Sequence, residues 1–421
     1  MPSAVRLVFC FFPIALLSLR AQTIEAIPAR VLIDEPAAIR VSGCQPNERL
    51  SIRAELIDGA GGRWVSESEF IAGPQGTIDT SKQAPVAGSY KGVSAMGPVW
   101  SMRPLHSKEG RYQPPRDFGP QTIDLQLMRS AAPVSTAHLE QAAIADGVER
   151  ITLHDGSLRG LLFVPPGKGP HPGILVLGGS EGGMPARRAA WFTSHGYAAL
   201  ALAYFRFDDL PRELAGIPLE YFGQALVWMA HRPEIDPNGL AVSGSSRGGE
   251  LALQLGSMYP GIKAVVAYVP ANVRFPACCG LASSEAAWTW KGNGLAFSRV
   301  GRSGRLPGDF GSDIAVEHTR GPILLISGGA DGIWNSSGMT DAIMARLRRE
   351  HFTYDVVRLN YPHAGHGAGH PEIVPSWQGW TRNPTSGREA EMGGTPAGNA
   401  ESTLDAPPKI LAFLAKSLSV Q

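Results

Sequence analysis

Three residue types that together can split an ester stand far apart in this chain. They are a serine in a glycine-framed turn, an aspartate just past a strand, and a histidine in a glycine-rich loop. The serine lies in Gly244-Ser245-Ser246-Arg247-Gly248, a G-x-S-x-G pattern. Leu240, Ala241 and Val242 before it read as the end of a buried strand, and Glu250 to Met258 after it as a helix stopped by Tyr259-Pro260. Strand, tight turn and helix form the setting that presents a strained serine as a nucleophile. Gly244 and Gly248 are small where strand and helix backbones must pass close together. The helix N-terminus favours negative charge developing beside Ser246. The plain alternative is an ordinary Gly/Ser turn.

A second match, Gly178-Gly179-Ser180-Glu181-Gly182, follows the strand Gly173 to Leu177 and makes Ser180 a rival. Chain order separates the two. In the α/β hydrolase fold an earlier glycine-rich loop donates an N–H to the oxyanion hole, and this loop lies roughly seventy residues before Ser246, where that donor belongs. Ser246 is therefore the expected nucleophile. The backbone of Gly178, Gly179, Ser180 and Arg247 is the expected oxyanion hole.

An activated serine needs a base within reach and an acid that orients the base. In this fold the acid follows the serine and the histidine comes last. The strand Ile323 to Ser327 leads into Gly328-Gly-Ala-Asp331-Gly-Ile-Trp334, which puts Asp331 on the same sheet edge as Ser246. An Asx turn before Gly332 is the plain reading. Asp341, on a helix, and Asp355, early in a strand, are weaker candidates. Tyr361 to His370 carries His363, His366 and His370, and His366, framed by Gly365 and Gly367, is the expected base. A metal cluster is the other reading of that spacing, but no Cys or Glu stands at known zinc spacings. No metal and no organic cofactor is expected.

The elements that position these residues occupy the second part of 421 residues, a length that predicts two domains. With 43% hydrophobic residues a large core can form, and a net charge of +1 gives no reason to expect a nucleic-acid partner. Residues 1–21 read as a secretory signal: Arg6, an apolar run from Leu7 to Leu19, and Ala21 before Gln22. The run is short for a membrane span and holds Pro13. An uncleaved interfacial anchor is the alternative, and no stable span is expected after cleavage. The expected location is secreted or periplasmic, or cytoplasmic if the leader is not used.

Residues 22–130 alternate apolar and polar positions between turn signals, as in Leu50 to Leu56 and Trp64 to Phe70, and predict a β-sandwich closed by Ile123 to Leu127. Residues 131–147 read as a linker, and 148–421 as the catalytic domain. There Val148–Leu153 and Leu158–Val164 predict a hairpin. The apolar runs Ile174–Leu177, Ala198–Ala203, Leu240–Val242, Ala264–Val269, Ile323–Ser327 and Tyr354–Leu359 then alternate with helices such as Leu219–Ala230. This predicts a doubly wound, mostly parallel sheet covered on both faces. Cys44, Cys278 and Cys279 remain after leader cleavage, an odd number, and read as structural rather than as a disulfide framework.

At this point the chain resembles a known family. Leu177-Gly-Gly-Ser-Glu-Gly-Gly183, Ala201-Leu-Ala-Tyr-Phe205, Asp209-Leu-Pro211, Leu219-Glu-Tyr-Phe222 and Ser246-Arg-Gly-Gly-Glu-Leu251 occur in the order of the acyl-CoA thioesterase and bile acid-CoA:amino acid N-acyltransferase family. The front part is similar through Val31-Leu-Ile-Asp-Glu-Pro36, Gly88-Ser-Tyr-Lys-Gly92 and Met96-Gly-Pro-Val-Trp-Ser101. The resemblance implies an immunoglobulin-like front domain, an α/β hydrolase domain and a triad at Ser246, Asp331 and His366. It implies an acyl thioester as small-molecule substrate. Amino-acid-conjugating members carry cysteine at the nucleophile position; serine here favours transfer to water. Because CoA esters are cytosolic, the leader points to an exported carboxylesterase as the alternative, and a silent hydrolase-fold binding protein is the third reading. Residues 274–320 interrupt the sheet pattern. There a cap over an acyl pocket by Trp288, Trp290 and Phe297 is one reading and an inert surface excursion the other; Arg299, Arg302 and Arg305 read as solvated loop charges, with CoA phosphates as the functional alternative. Residues 379–400 read as a loop, and Pro407 to Leu414 as a final helix.

Overall fold

The computed structural model describes residues 21–106, 111–278, 284–298, 311–377, 380–382, 387 and 389–418. The leader expected at 1–21, apart from Ala21, lies outside them, as do Cys279, Arg299, Arg302 and Arg305.

The front part is β-sandwich-like. A small sheet joins Thr23–Ile27, Ala38–Ser42 and Ile78–Asp79. A larger sheet runs in the order Arg30–Leu32, Ala132–Ala142, Gln121–Arg129, Arg49–Ile57, Arg63–Ile71 and Ala87–Gly88. Alternation along these strands turns Ile39, Ile52, Ala54, Phe70, Ile123, Leu125 and Leu127 inward with no exposure, as a sheet with one wet face requires. The expected linker at 131–147 is corrected. Ala132–Ala142 is an eleven-residue strand, antiparallel to Gln121–Arg129 and parallel to Arg30–Leu32. Only the few residues after Ala142 connect the two parts.

The second part holds an eight-stranded sheet. Its strands are β1 (Glu149–Asp155), β2 (Leu158–Val164), β3 (His171–Leu177), β4 (Ala198–Ala203), β5 (Ile235–Ser245), β6 (Ile262–Tyr268), β7 (Ile323–Gly328) and β8 (Val356–Tyr361), in the order β1-β2-β4-β3-β5-β6-β7-β8. From β4 to β8 all neighbours are parallel; β1–β2 and β2–β4 are antiparallel. All six residues of β4 and of β7 are buried, because helices cover both faces of a parallel sheet. Those helices are α1 (Ala186–Ser194), α2 (Leu219–Ala230), α3 (Arg247–Met258), α4 (Ser336–Arg349) and α5 (Pro396–Leu418). The final helix starts well before Pro407 and carries Pro407 and Pro408 inside it. No helix among the described residues is long and apolar enough to cross a membrane. Cys44 is free, and Cys278, read from the sequence as structural, is disulfide-bonded.

Candidate active site

The C-terminal edge of the sheet gathers the candidate residues. β3 ends at Leu177 before the Gly178 loop, β5 at Ser245 before Ser246, β7 at Gly328 before Asp331, and β8 at Tyr361 before His366. Clefts beyond the C-terminal ends of parallel strands are where such folds bind ligands.

Ser246 turns the chain from β5 into α3 with φ 58° and ψ −120°. A non-glycine residue with this backbone is strained by about 1–3 kcal/mol and must be held by its surroundings. Its N–H is tied to the Tyr268 carbonyl at 2.9 Å. Neighbouring glycines make the turn possible: a Cβ on Gly244 would overlap the Gly248 carbonyl, and one on Gly248 would overlap that of Gly178.

His366 Nε2 lies 2.9 Å from Ser246 Oγ, and its Nδ1 lies 3.0 and 2.9 Å from the two Asp331 oxygens. The structure thus brings Ser246, His366 and Asp331 into one hydrogen-bonded line. Asp331 is held in turn. Its Oδ1 accepts the N–H groups of Ile333 and Trp334 at 2.9 and 3.2 Å, and its side chain is 1% exposed beside an imidazole at 7%. Trp334 meets the His366 ring edge-on at 5.1 Å and stacks on Phe275. Ser180 lines the same cleft, but the imidazole faces Ser246. His363 is exposed, and His370 is half-buried four residues beyond the base.

A support missed in the sequence straps the aspartate and histidine loops together. The Met392 carbonyl accepts the N–H of His366 at 2.7 Å and of Gly332 at 3.2 Å, and Gly394 N–H reaches the Ala330 carbonyl. Asn399 Oδ1 accepts Gly365 N–H at 2.8 Å. Gly393 and Gly394 both have φ +77°, and a Cβ on Gly365 would overlap the Gly393 carbonyl. The only sequence signal was the Gly393-Gly394 pair inside a stretch read as loop.

A second buried pair lies beneath the elbow. Arg247 and Glu250 are 4% and 0% exposed. Glu250 accepts the Trp288 indole N–H at 2.7 Å and an Arg247 Nη2 hydrogen at 3.3 Å. Arg247 Nε approaches the other oxygen to 2.9 Å, at ion-pair distance but out of line for a hydrogen bond. Arg247 also donates to the carbonyls of Pro276 and Phe275. Burial pushes the Glu250 carboxyl above its ordinary range, with Arg247 opposing.

Two expectations change here. Gly179 N–H, expected to be open to an oxyanion, already donates to Glu181 Oε1 at 2.9 Å. Arg247, as first residue of α3, has an N–H with no carbonyl partner within the helix. The expected cap aromatics do not line the cleft of about 660 Å³ that contains Ser246 and His366. Trp288 is a 1% exposed core residue bonded to Glu250, Trp290 packs edge-on against Tyr259, and Phe297 is half-buried away from the cleft lining. The cleft is walled instead by Met184, Ile333, Val374, Trp377 and Met392, by Arg187 and Arg188 of α1, and by Arg111 and Tyr112 of the front part.

An eight-stranded sheet of this order, with a strained serine after its fifth strand, defines an α/β hydrolase. Residues 34–155 match the acyl-CoA thioester hydrolase/BAAT N-terminal region, and residues 217–420 the BAAT/acyl-CoA thioester hydrolase C-terminal region. The chain is 31% identical over 409 residues to acyl-coenzyme A amino acid N-acyltransferase 1 of Mus musculus, covering 93% of this chain and 97% of that one. It is 30% identical to acyl-coenzyme A thioesterase 6 of Mus musculus, covering 95% and 97%. It is 29% identical to the peroxisomal succinyl-coenzyme A thioesterase of the same organism, covering 94% and 97%. The chain belongs to the acyl-CoA thioesterase/BAAT family.

Proposed function

We propose that this chain hydrolyses acyl thioesters through an acyl-enzyme on Ser246. The observation that carries this reading is the hydrogen-bonded line from Ser246 Oγ through His366 to Asp331, with 2.9 Å at the first link. His366 Nε2 takes the hydroxyl proton as Oγ adds to the thioester carbonyl, and Asp331 keeps Nδ1 protonated and stabilises the imidazolium. The tetrahedral oxygen takes the Arg247 N–H and displaces the Glu181 carboxylate from Gly179 N–H. Each such donor contributes about 3–4 kcal/mol to the transition state. Collapse expels the thiolate, which receives the proton from His366. Water then attacks the acyl-serine with His366 as base, releasing the carboxylic acid and restoring the hydroxyl. Serine at this position supports transfer to water rather than to an amine, because an oxyester acyl-enzyme is less reactive toward amines than a thioester.

A second reading, an exported carboxylesterase on the same three residues, is supported by the apolar run Leu7 to Leu19 behind Arg6. The test measures kcat/KM for one acyl chain as its CoA thioester and as a simple oxyester, with Ser246→Ala as control. A thioester preference beyond tenfold, about 1.4 kcal/mol, supports the first reading. Equal or better turnover of the oxyester supports the second. Turnover that survives Ser246→Ala refutes both.

A further inference from the structure

The first turn of α1 places two consecutive arginines, Arg187 and Arg188, on the wall of the cleft that holds Ser246 and His366. Their surroundings differ. Arg187 donates from Nε to Glu372 at 2.5 Å, yet keeps a buried Nη2 with no hydrogen-bond partner. Arg188 has no carboxylate within ion-pair distance among the described residues, its Nε is buried without a partner, and its guanidinium lies 4.5 Å from the centre of the Tyr268 ring. The other acid on the cleft wall, Glu181, bonds Gly179 N–H. Arg111 adds a third positive charge from the front part. His370 adds none near neutrality, because burial pushes its pKa down to about 4.

A buried donor left unsatisfied costs about 1–3 kcal/mol, and more on a charged group. Two neighbouring arginines each bear such a donor, on the wall of a cleft that already contains the reactive serine. A guanidinium is a rigid planar fork whose best partner is a carboxylate or phosphate bound by two parallel hydrogen bonds. The Tyr268 ring beneath the Arg188 guanidinium helps to hold it at the cleft wall.

We propose that Arg188, with the charge of Arg187 beside it, binds a second anionic group on the substrate, so that the enzyme selects acyl thioesters that carry one. This rests on the reading that Ser246 hydrolyses acyl thioesters. The anion has two sources, a carboxylate at the far end of the acyl chain or a phosphate of the leaving group.

Four substrates separate the sources: pentanoyl and glutaryl groups, each as the N-acetylcysteamine thioester, which has no phosphate, and as the CoA thioester. An acyl-side site gives a glutaryl-to-pentanoyl preference on N-acetylcysteamine; a leaving-group site gives a CoA-to-N-acetylcysteamine preference for pentanoyl. In Arg188→Gln the relevant ratio of kcat/KM values falls by about tenfold or more, mainly through KM, and Arg188→Lys recovers part of it. Ratios equal in wild type and Arg188→Gln overturn the anion site while hydrolysis by Ser246 stands. If Arg188→Gln does not fold, Arg188→Lys and the wild type decide. Competitive inhibition by glutarate or inorganic phosphate that weakens in Arg188→Lys supports the site, and inhibition by neither overturns it. Absence of Ser246-dependent turnover for all four thioesters removes the hydrolytic reading and the anion site with it.

Discussion

Replacing Glu250 with alanine tests how the elbow is held from below. The carboxylate is fully buried; the Trp288 indole and Arg247 Nη2 donate to it, and Arg247 Nε stands at ion-pair distance. Its removal leaves a guanidinium that is 4% exposed, with only the Pro276 and Phe275 carbonyls as partners at 2.8 and 3.0 Å. Breaking a buried ion pair by deleting one member costs about 3–5 kcal/mol. The orphaned indole N–H would cost about 1–3 kcal/mol alone, but it shares the same carboxylate, so the two do not add. We therefore expect Glu250→Ala to destabilise by about 3–5 kcal/mol. Glu250→Gln keeps an acceptor for Trp288, and loses about half as much. The assay is urea unfolding, with a lower midpoint at an unchanged slope. Burial raises the Glu250 carboxyl from its ordinary 4.5. Stability from this group is therefore complete below that value and is lost as pH rises through the raised one; Glu250→Gln removes that slope. A loss under about 1 kcal/mol in Glu250→Ala would refute the account, since it is the size of a solvated surface pair.

Asp331→Asn should lower kcat by about 10⁴ with little change in KM. Asparagine keeps an oxygen for the Ile333 and Trp334 N–H groups but no longer fixes the His366 tautomer, and a loss below about tenfold would speak against the assigned role. Gly244→Ala forces a methyl into the Gly248 carbonyl, backbone against backbone. It should destabilise by about 3 kcal/mol or more and abolish labelling of Ser246 by a fluorophosphonate. His370 is depressed by burial from 6.5 to about 4, so its contribution to stability is complete above pH 6.5 and is lost as pH falls through about 4. The loss amounts to about 3 kcal/mol, and His370→Asn should flatten that part of the acid unfolding profile.

Local pattern located most of what positions the site. Ala198–Ala203 and Leu219–Ala230 are a strand and a helix with the boundaries read from the sequence, because unbroken apolar runs and a Pro218 start are local signals. Ser246, Asp331 and His366 stand in turns at strand ends, a local signal, and meet at hydrogen-bond distance. Long-range relations stayed hidden. Ala132–Ala142 alternates weakly and is largely exposed in its first half, so only its partners on either side reveal a strand. The Met392 to Thr395 strap acts through main-chain carbonyls and amides, which carry no side-chain signature. Trp288 shows the limit of residue type: the same indole suits a substrate wall or a core, and here it satisfies Glu250. Nothing local marks Glu181 as the partner of the Gly179 N–H.

The front sandwich is stitched to the catalytic part beside the cleft. Ile373 N–H reaches the Ile33 carbonyl at 2.8 Å, Gln141 Nε2 donates to the Ile373 carbonyl, and His195 meets Asp34 at 2.9 Å. Arg111 and Tyr112 line the same cleft as Ser246. The wall of the cleft is therefore contributed by both folding units. A chimera joining a relative's front sandwich to this hydrolase part would keep the reactive line intact while exchanging one side of the vessel around it. Under the proposed reaction, the junction between the two parts is a place where the shape of the cleft can change while the Ser246–His366–Asp331 line does not.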